Sequence, residues 1–192
     1  MNLALFDFDG TLTTKDSLGV FLEYSVGKQK YILNMLRFVP YLLSWKMGIM
    51  RNDVAKKHLF KIFFNGMNET EFRELANRFA KEKLNEIIHD ERVALLRSHQ
   101  IRGERVVVVS ASMKCWLEPW CKEMGVELLS TELEFKQNRF SGAFLTPNCH
   151  GKEKVARIKE YLNIDEYETI YAYGDSSGDN EMLAMADVAK RF

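Results

Sequence analysis

Cysteine is scarce. The 192 residues hold three, Cys115, Cys121 and Cys149, and none forms a CxxC pair. That excludes a disulfide-stapled scaffold, and the four histidines (His58, His89, His99, His150) lack the spacing of a zinc site. Net charge is lacking as well. Twenty-seven Lys and Arg balance 27 Asp and Glu, so no overall basic field points to a nucleic-acid partner. There is no repeat and no low-complexity linker, and the opening MNLALFDFDG carries neither the basic leader nor the cleavage site of a secretory signal. Reduced, buried thiols in a cytoplasmic protein are the expectation. What remains is ordinary for a globular chain: 46% apolar and 28% charged residues, in a length that suits one domain with room for an insertion.

Leu3 to Phe8 is a continuous apolar run of the kind buried on both faces of a parallel sheet. Comparable runs lie at Val106 to Val109, Val126 to Leu129 and Thr169 to Tyr173, with a short one at Val188 and Ala189. Helical patterns at Met113 to Met124, Glu153 to Leu162 and Asn180 to Met185 alternate with them, which predicts a parallel α/β sheet. Phe135 to Phe144, with Asn138 at a turn, reads as a small hairpin. The anomaly is the 99 positions that separate Thr11 from Ser110, about three times the roughly 30 residues of a βαβ unit. They show only helical periodicity, as in Val54, His58, Leu59 and Ile62 or Phe72, Leu75, Ala76 and Phe79. The expected fold is α/β: a Rossmann-like parallel-sheet core of residues 1–13 and 91–192, interrupted by an all-helical cap at 14–90. Residues 14–67 carry nine cations against three anions. A basic lid over an acidic core suits an anionic substrate, and a solvated helix surface accounts for the same charges.

Asp7 and Asp9 leave the end of the first run, where parallel sheets place their ligand sites. Two residues apart, they share one face of a strand. Gly10 permits a sharp turn, and Thr11 offers a hydroxyl to an anion. GDSSGD at 174–179 follows another apolar run and adds Asp175 and Asp179. Four carboxylates at one sheet edge repel each other unless a hard cation joins them, and oxygen-only donors suit Mg²⁺. Ser110 follows the valines of the second run, with the N–H groups of Ala111 and Ser112 available to an oxyanion. A lysine at a helix start in CHGKEKVARI, Lys152 or Lys154, can neutralise phosphate charge that the metal leaves uncovered. Together these groups provide what transfer of a phosphoryl group to a carboxylate requires.

In its four motifs, DFDGT at 7–11, VVVVSAS at 106–112, the lysine near 154 and GDSSGD at 174–179, the sequence resembles the haloacid dehalogenase (HAD) superfamily. Within it the likeness is to subfamily IB, the phosphoserine phosphatase-like branch, which carries a helical insertion after the first motif. The resemblance implies a Mg²⁺-dependent phosphatase that hydrolyses a phosphate monoester through an aspartyl-phosphate. Asp7 would be the nucleophile, and Asp9 would protonate the leaving group and then activate water. Asp7, Asp175 and the backbone carbonyl of Asp9 would hold the metal. Asp179 would orient a metal-bound water or the lysine. Ser110 would hold the phosphoryl oxygen, with Gly10, Thr11, Ala111 and Ser112 around the phosphate. The family's lysine precedes a small or aliphatic residue and an apolar ladder, which favours Lys154 ahead of Val155 and Ala156 over Lys152. A phosphotransferase or mutase would share the first half-reaction.

The substrate is less well marked. Phosphoserine phosphatases carry Glu nine positions after the nucleophile, where this chain has Asp16. Their cap arginine has no counterpart in KKHLFKIFFNGM, and Gly178 replaces the Asn of their fourth motif. Bacterial phosphatidylglycerophosphatases resemble the chain in DGTL before an Asp-led helix, an apolar first cap segment and a Cys-x-Gly-x-Glu-Lys-Val stretch at Cys149 to Val155. The expected partner is therefore a small phosphorylated substrate or a lipid phosphate, with oligomeric state open. Tyr31 to Met50 is apolar or aromatic apart from a stripe of Asn34, Arg37 and Ser44, although Arg37, Pro40 and Lys46 argue against a lipid-embedded span. Two readings stand: peripheral contact of residues 31–50 with a membrane, or a face packed in the cap's own core. Met47, Met50 and Met67 are expected to fill the cap, and Trp116 to Trp120 to pack. An inactive scaffold that binds a membrane surface or a partner is the alternative from another class, and the intact set of four motifs argues against it.

Overall fold

The computed structural model describes residues 1–192. Strand β1 (Leu3–Phe6) consists of four apolar residues, all fully buried, and takes the centre of a five-stranded sheet because both of its faces are covered. Phe8 lies beyond its end, buried in the turn. Helices α1 (Ser17–Val26), α2 (Lys28–Lys46), α3 (Asn52–Phe64) and α4 (Glu69–Glu82) follow without any intervening strand of the sheet. Helix α5 (Asp90–Ile101) returns the chain to β2 (Arg105–Met113), α6 (Lys114–Met124) and β3 (Glu127–Thr131). The hairpin β4 (Leu133–Lys136) and β5 (Arg139–Phe144) turns at Gln137 and Asn138, both at positive φ, the conformation that tight hairpin turns need. Helix α7 (Lys152–Tyr161), β6 (Ile170–Gly174), α8 (Asn180–Ala184) and β7 (Val188–Arg191) complete the chain.

The sheet order is β3-β2-β1-β6-β7, and every pairing is parallel. The chain winds outward from β1 through β2 to β3 on one side and resumes at β6 on the other. The winding therefore reverses between β1 and β6, and a crevice opens beyond the carboxyl ends of those two strands. Phe6 stands level with Val108 and with Tyr173, so the segments that leave β1, β2 and β6 emerge at one edge.

Alternation along the strands divides the interior in two. Leu3, Leu5, Val107, Val109, Ile170 and Ala172 join Ile158 and Met182 under α7 and α8. Ala4, Phe6, Val106, Val108 and Tyr173 face the other way, into a core shared with α1, α3, α4 and α6. Phe21 stacks on Trp116 with ring centroids 4.5 Å apart and meets Phe79 at 5.2 Å. Each such ring contributes roughly 1.5–3 kcal/mol by burial. The helical insertion thus rests on one face of the sheet through a continuous apolar core. Its two ends run side by side, with Thr14 N–H on the carbonyl of Ile87 (2.7 Å) and His89 N–H on that of Leu12 (2.9 Å). The hairpin also joins it, since Phe140 and Phe144 pack on Phe60.

Helix α2 lies opposite to one expectation. Asn34 and Phe38 are buried, with Tyr31, Met35, Tyr41 and Leu42 partly so, whereas Ile32, Leu33, Leu36, Val39 and Leu43 face solvent. That apolar sector does not pack in the insertion's own core. Met47 is 71% exposed and fills nothing, while Met50 and Met67 are partly buried against the core. Trp116 and Trp120 are buried, and the three thiols are free, Cys121 and Cys149 buried and Cys115 half-buried. No helix is long and apolar enough to cross a membrane.

Candidate active site

The crevice gathers three carboxylates. One oxygen each of Asp7, Asp175 and Asp179 lies within 4.8 Å of the others. Asp7 directly follows β1, Asp175 directly follows β6, and Asp179 is carried back by a short 3₁₀ turn, Ser177–Asp179. That turn is closed reciprocally. Ser176 Oγ accepts from Gly178 N–H (3.2 Å), while the Asp179 carboxylate accepts from Ser176 N–H (3.0 Å) and Oγ–H (3.0 Å).

Lys154 enters from the first turn of α7 and is buried completely. Its ammonium donates to Asp7 Oδ1 (2.5 Å), Asp179 Oδ1 (2.6 Å) and the carbonyl of Val109 (2.7 Å), which uses all three of its donors. Lys152 faces solvent. Burial pushes the Asp7 carboxyl up to about 7 against the pull of Lys154. Burial and the neighbouring Asp179 raise Asp175. Burial also opposes ionisation of Asp179, but Lys154 and Ser176 prevail and hold it below the usual carboxylate range. Lys154 is raised, because Asp7 and Asp179 outweigh the cost of burying its charge. A triangle of carboxylate oxygens fits Mg²⁺, whose octahedral donors stand about 3–4.2 Å apart at its ~2.1 Å bond length.

The Asp9 side chain stands outside this triangle. It accepts from Ser17 N–H (2.6 Å) and, through a short hydrogen bond, from Ser112 Oγ–H. Behind it runs a chain of donors: the Trp116 indole N–H to Ser17 Oγ (3.2 Å), and Ser17 Oγ–H to Ser112 Oγ (3.2 Å). Burial, with Asp16 nearby, raises the Asp9 carboxyl above its ordinary value. Trp116 therefore does more than pack, since it anchors the far end of the chain that orients Asp9. Ser17 and Ser112 lie 95 positions apart, so their pairing leaves no local signal in the sequence.

The other expected residues occupy varied places. Ser110 Oγ accepts from Ser112 N–H (3.0 Å). The carbonyl of Ala111 takes hydrogen bonds from Thr131 Oγ–H (3.0 Å) and from Lys56 Nζ (2.7 Å), which fixes the end of β2, where its register with β3 shifts. The Thr11 hydroxyl points to Asp175 at 3.5 Å. Gly10 sits at φ +77°, with its carbonyl held by Arg92 (2.9 Å). Asp16 caps α1 by accepting from Gly19 N–H (3.1 Å), and it also lines the pocket.

That pocket, of about 340 Å³, is polar on the side of Asp9, Asp16, Lys56, Asp175 and His150 and apolar on the side of Leu18, Phe38, Trp45 and Leu59. Of the nine cations in residues 14–67, Lys56 alone lines it, and Arg51 and Lys57 line an adjoining cavity that shares Asn52 and His150 with it. Burial lowers Lys56 below its ordinary value, against the pull of Asp16 and Asp9. Lys56 opens the stretch in which no cap arginine could be placed, and only the docking of α3 reveals where it points. Gly178, the second departure from the family pattern, also has a physical account. A Cβ there would lie 2.6 Å from His150 Nε2, so the imidazole occupies the room that a larger residue would need.

A family model described as haloacid dehalogenase-like hydrolase matches residues 4–184. Protein CicA of Caulobacter vibrioides is 35% identical over 187 residues, spanning 96% of this chain and 83% of that one. The histidinol-phosphatase of Neisseria meningitidis serogroup C is 24% identical over 194 residues, spanning 96% and 86%. Among solved structures, a protein of unknown function from Bordetella pertussis Tohama I superimposes at a TM-score of 0.83 and 21% identity, covering 98% of this chain and 88% of its own. A phosphoserine phosphatase from T. onnurineus does so at 0.61 and 23%, covering 99% and 82%. At those identities the structural likeness speaks for the fold.

Proposed function

The chain belongs to the haloacid dehalogenase-like hydrolases, and from that premise we propose a Mg²⁺-dependent phosphatase of small phosphate monoesters. It works through an aspartyl-phosphate, and the helical insertion, residues 14–90, chooses the substrate. The observation that carries this reading is the position of Lys154, 2.5 Å from Asp7 and 2.6 Å from Asp179, beside a carboxylate triangle suited to a hard cation. The family match and the name of the neisserial relative support phosphatase activity.

Lys154 holds Asp7 Oδ1, which leaves Oδ2 to attack phosphorus. Asp9, whose raised proton affinity suits a general acid, delivers a proton to the leaving alkoxide as the P–O bond breaks. The aspartyl-phosphate forms on Asp7. Asp9, now a carboxylate, takes a proton from water as that water attacks phosphorus, which releases inorganic phosphate and restores Asp7. Ser110 Oγ–H and the Ala111 N–H bind the phosphoryl oxygens, while Ser112 N–H, expected there as well, is spent on Ser110 Oγ and steadies that hydroxyl, with Gly10 and Thr11 shaping the turn beneath them. Asp7, Asp175 and the Asp9 carbonyl would hold Mg²⁺, which offsets the charge of phosphate and nucleophile. Asp179 orients Lys154. Lys56 and Asp16 face the leaving group.

A lipid phosphate is the second reading, favoured by the apolar wall of Leu18, Phe38, Trp45 and Leu59. A screen of soluble phosphate esters beside short-chain lipid phosphates, scored as free phosphate released, separates the two and also separates hydrolysis from transfer. Turnover should require Mg²⁺, stop with EDTA and disappear in Asp7→Asn, and beryllium fluoride should inhibit. Full turnover in Asp7→Asn would refute the mechanism.

A further inference from the structure

Helix α2 turns an apolar sector outward. Ile32, Leu33, Leu36, Val39 and Leu43 are 38% to 63% exposed, and at 100° per residue they fall within about 120° of the helix circumference. Beyond the helix end, Met47 and Ile49 continue the patch at 71% and 74% exposure. A contiguous apolar patch of this kind on a single chain marks an interaction site.

The charges around it identify the partner. Residues 27–51 contain Lys28, Lys30, Arg37, Lys46 and Arg51 and no acidic residue, in a chain whose total charge is zero. Lys28 and Lys46 border the sector on one side, Lys30 and Arg37 on the other. Of the five, only Arg51 is paired with an acid, Asp53. A second copy set against this face would bring eight cations that have no acidic partner together. A membrane span is excluded, because no helix is long and apolar enough. An apolar stripe with Lys and Arg along both borders matches a helix that lies in the interface of an anionic bilayer. There each cation strengthens partitioning about fivefold.

We propose that the outward face of α2, continued by Met47 and Ile49, docks on an anionic lipid surface. The helix lies parallel to the membrane, its apolar side chains enter the headgroup–acyl boundary and its bordering cations meet lipid phosphates. The inference goes beyond the phosphatase reading and does not need it, although the inner side of the same helix supplies Phe38 and Trp45 to the pocket.

Co-sedimentation of the full chain with phosphatidylglycerol–phosphatidylcholine vesicles, and with phosphatidylcholine vesicles alone, tests it. Hydrolysis of a soluble phosphate ester is measured in parallel. The anionic vesicles should bind at least about tenfold more protein, and binding should weaken as salt rises. L36Q/L43Q and K30Q/R37Q/K46Q change exposed positions and keep helix formers. Each should reduce binding at least about tenfold and leave hydrolysis of the soluble ester unchanged. No binding to anionic vesicles, or binding that both variants retain, overturns the proposal. So does a concentration-dependent dimer that L36Q/L43Q disperses while vesicles bind nothing. Vesicle binding by a protein that hydrolyses no ester would sink the phosphatase reading and leave this one standing.

Discussion

Gly10→Ala probes the metal site without replacing a carboxylate. A Cβ at Gly10 would lie 2.3 Å from Asp175 Oδ2 and 2.7 Å from its carboxyl carbon, against 3.4 Å or more in ordinary contact. One side must give by about 1 Å. The Gly10 turn is the firmer side. Arg92 donates to the carbonyls of Gly10 (2.9 Å) and Thr11 (3.0 Å), and Gly10 N–H is bound by Thr13 Oγ (3.1 Å). The half-buried Asp175 side chain has one hydroxyl partner, at 3.5 Å. Asp175 is therefore expected to move out of the triangle with Asp7 and Asp179. The φ of +77° adds roughly 1–2 kcal/mol for an L residue, which lowers Tm by about 2–8 °C in a chain of this size and leaves it folded. Loss of even a group that only orients a ligand weakens metal affinity by about 10–100-fold, so displacing a ligand weakens it at least as much. The assay is phosphate release as a function of Mg²⁺ concentration, with thermal melts alongside. Half-saturation should shift to 10–100-fold (approximately) higher Mg²⁺, and excess Mg²⁺ should recover part of the rate. A folded variant that saturates within about twofold of wild type would show that Asp175 does not bind the ion that supports turnover.

Two further substitutions follow from the same geometry. Lys154→Met leaves Asp7 and Asp179 buried without their cation, so about 3–5 kcal/mol of stability should be lost and turnover should fall at least about 100-fold. Lys152→Met, at a solvent-facing position, should change stability by no more than about 0.5 kcal/mol and leave turnover intact. Urea melts and phosphate release measure both, and the reverse pattern would exchange the two lysines. Lys56→Met should raise KM about tenfold, with a smaller change in kcat, and Lys56→Arg should recover part of it. A loss confined to kcat would place Lys56 with the reacting groups instead of the leaving group.

The parts of this protein that could be read in advance are those whose cause is local. β1, β2 and β6 are covered on both faces, and a strand in that position leaves an unbroken apolar run that no exposed element imitates. The acids that follow β1 and β6 stand beside their strands in the chain, so their place at the sheet edge follows from the strand alone. Where a residue's role depends on what another segment covers, the pattern is silent. The periodicity of α2 reveals a sector but not its direction, and Asn34, in the polar stripe with Arg37 and Ser44, is only 2% exposed. Lys56 looked like one of nine similar cations until the packing of α3 aimed it at Ala111. The donor chain from Trp116 to Asp9 crosses three separate segments, and the substitution at Gly178 is explained by His150, 28 positions earlier.

Charge balance ties these residues into one device. Three carboxylates and one ammonium meet at the carboxyl ends of β1 and β6, so the fully ionised cluster carries two uncompensated negative charges. Burial makes that state unfavourable, as the upward displacement of Asp7 and Asp175 records. A dication would balance those two charges and return Asp7 to the ionised form in which it can attack. A phosphate ester then brings up to two more negative charges, and Lys154 has no donor left for them, since all three are spent on Asp7, Asp179 and Val109. The cation free to answer that charge is Lys56, whose single hydrogen bond, to the carbonyl of Ala111, sets it against the end of β2. The insertion thus supplies the counter-charge that the sheet edge has exhausted, which is why a neutral residue at position 56 should weaken substrate binding before it slows chemistry.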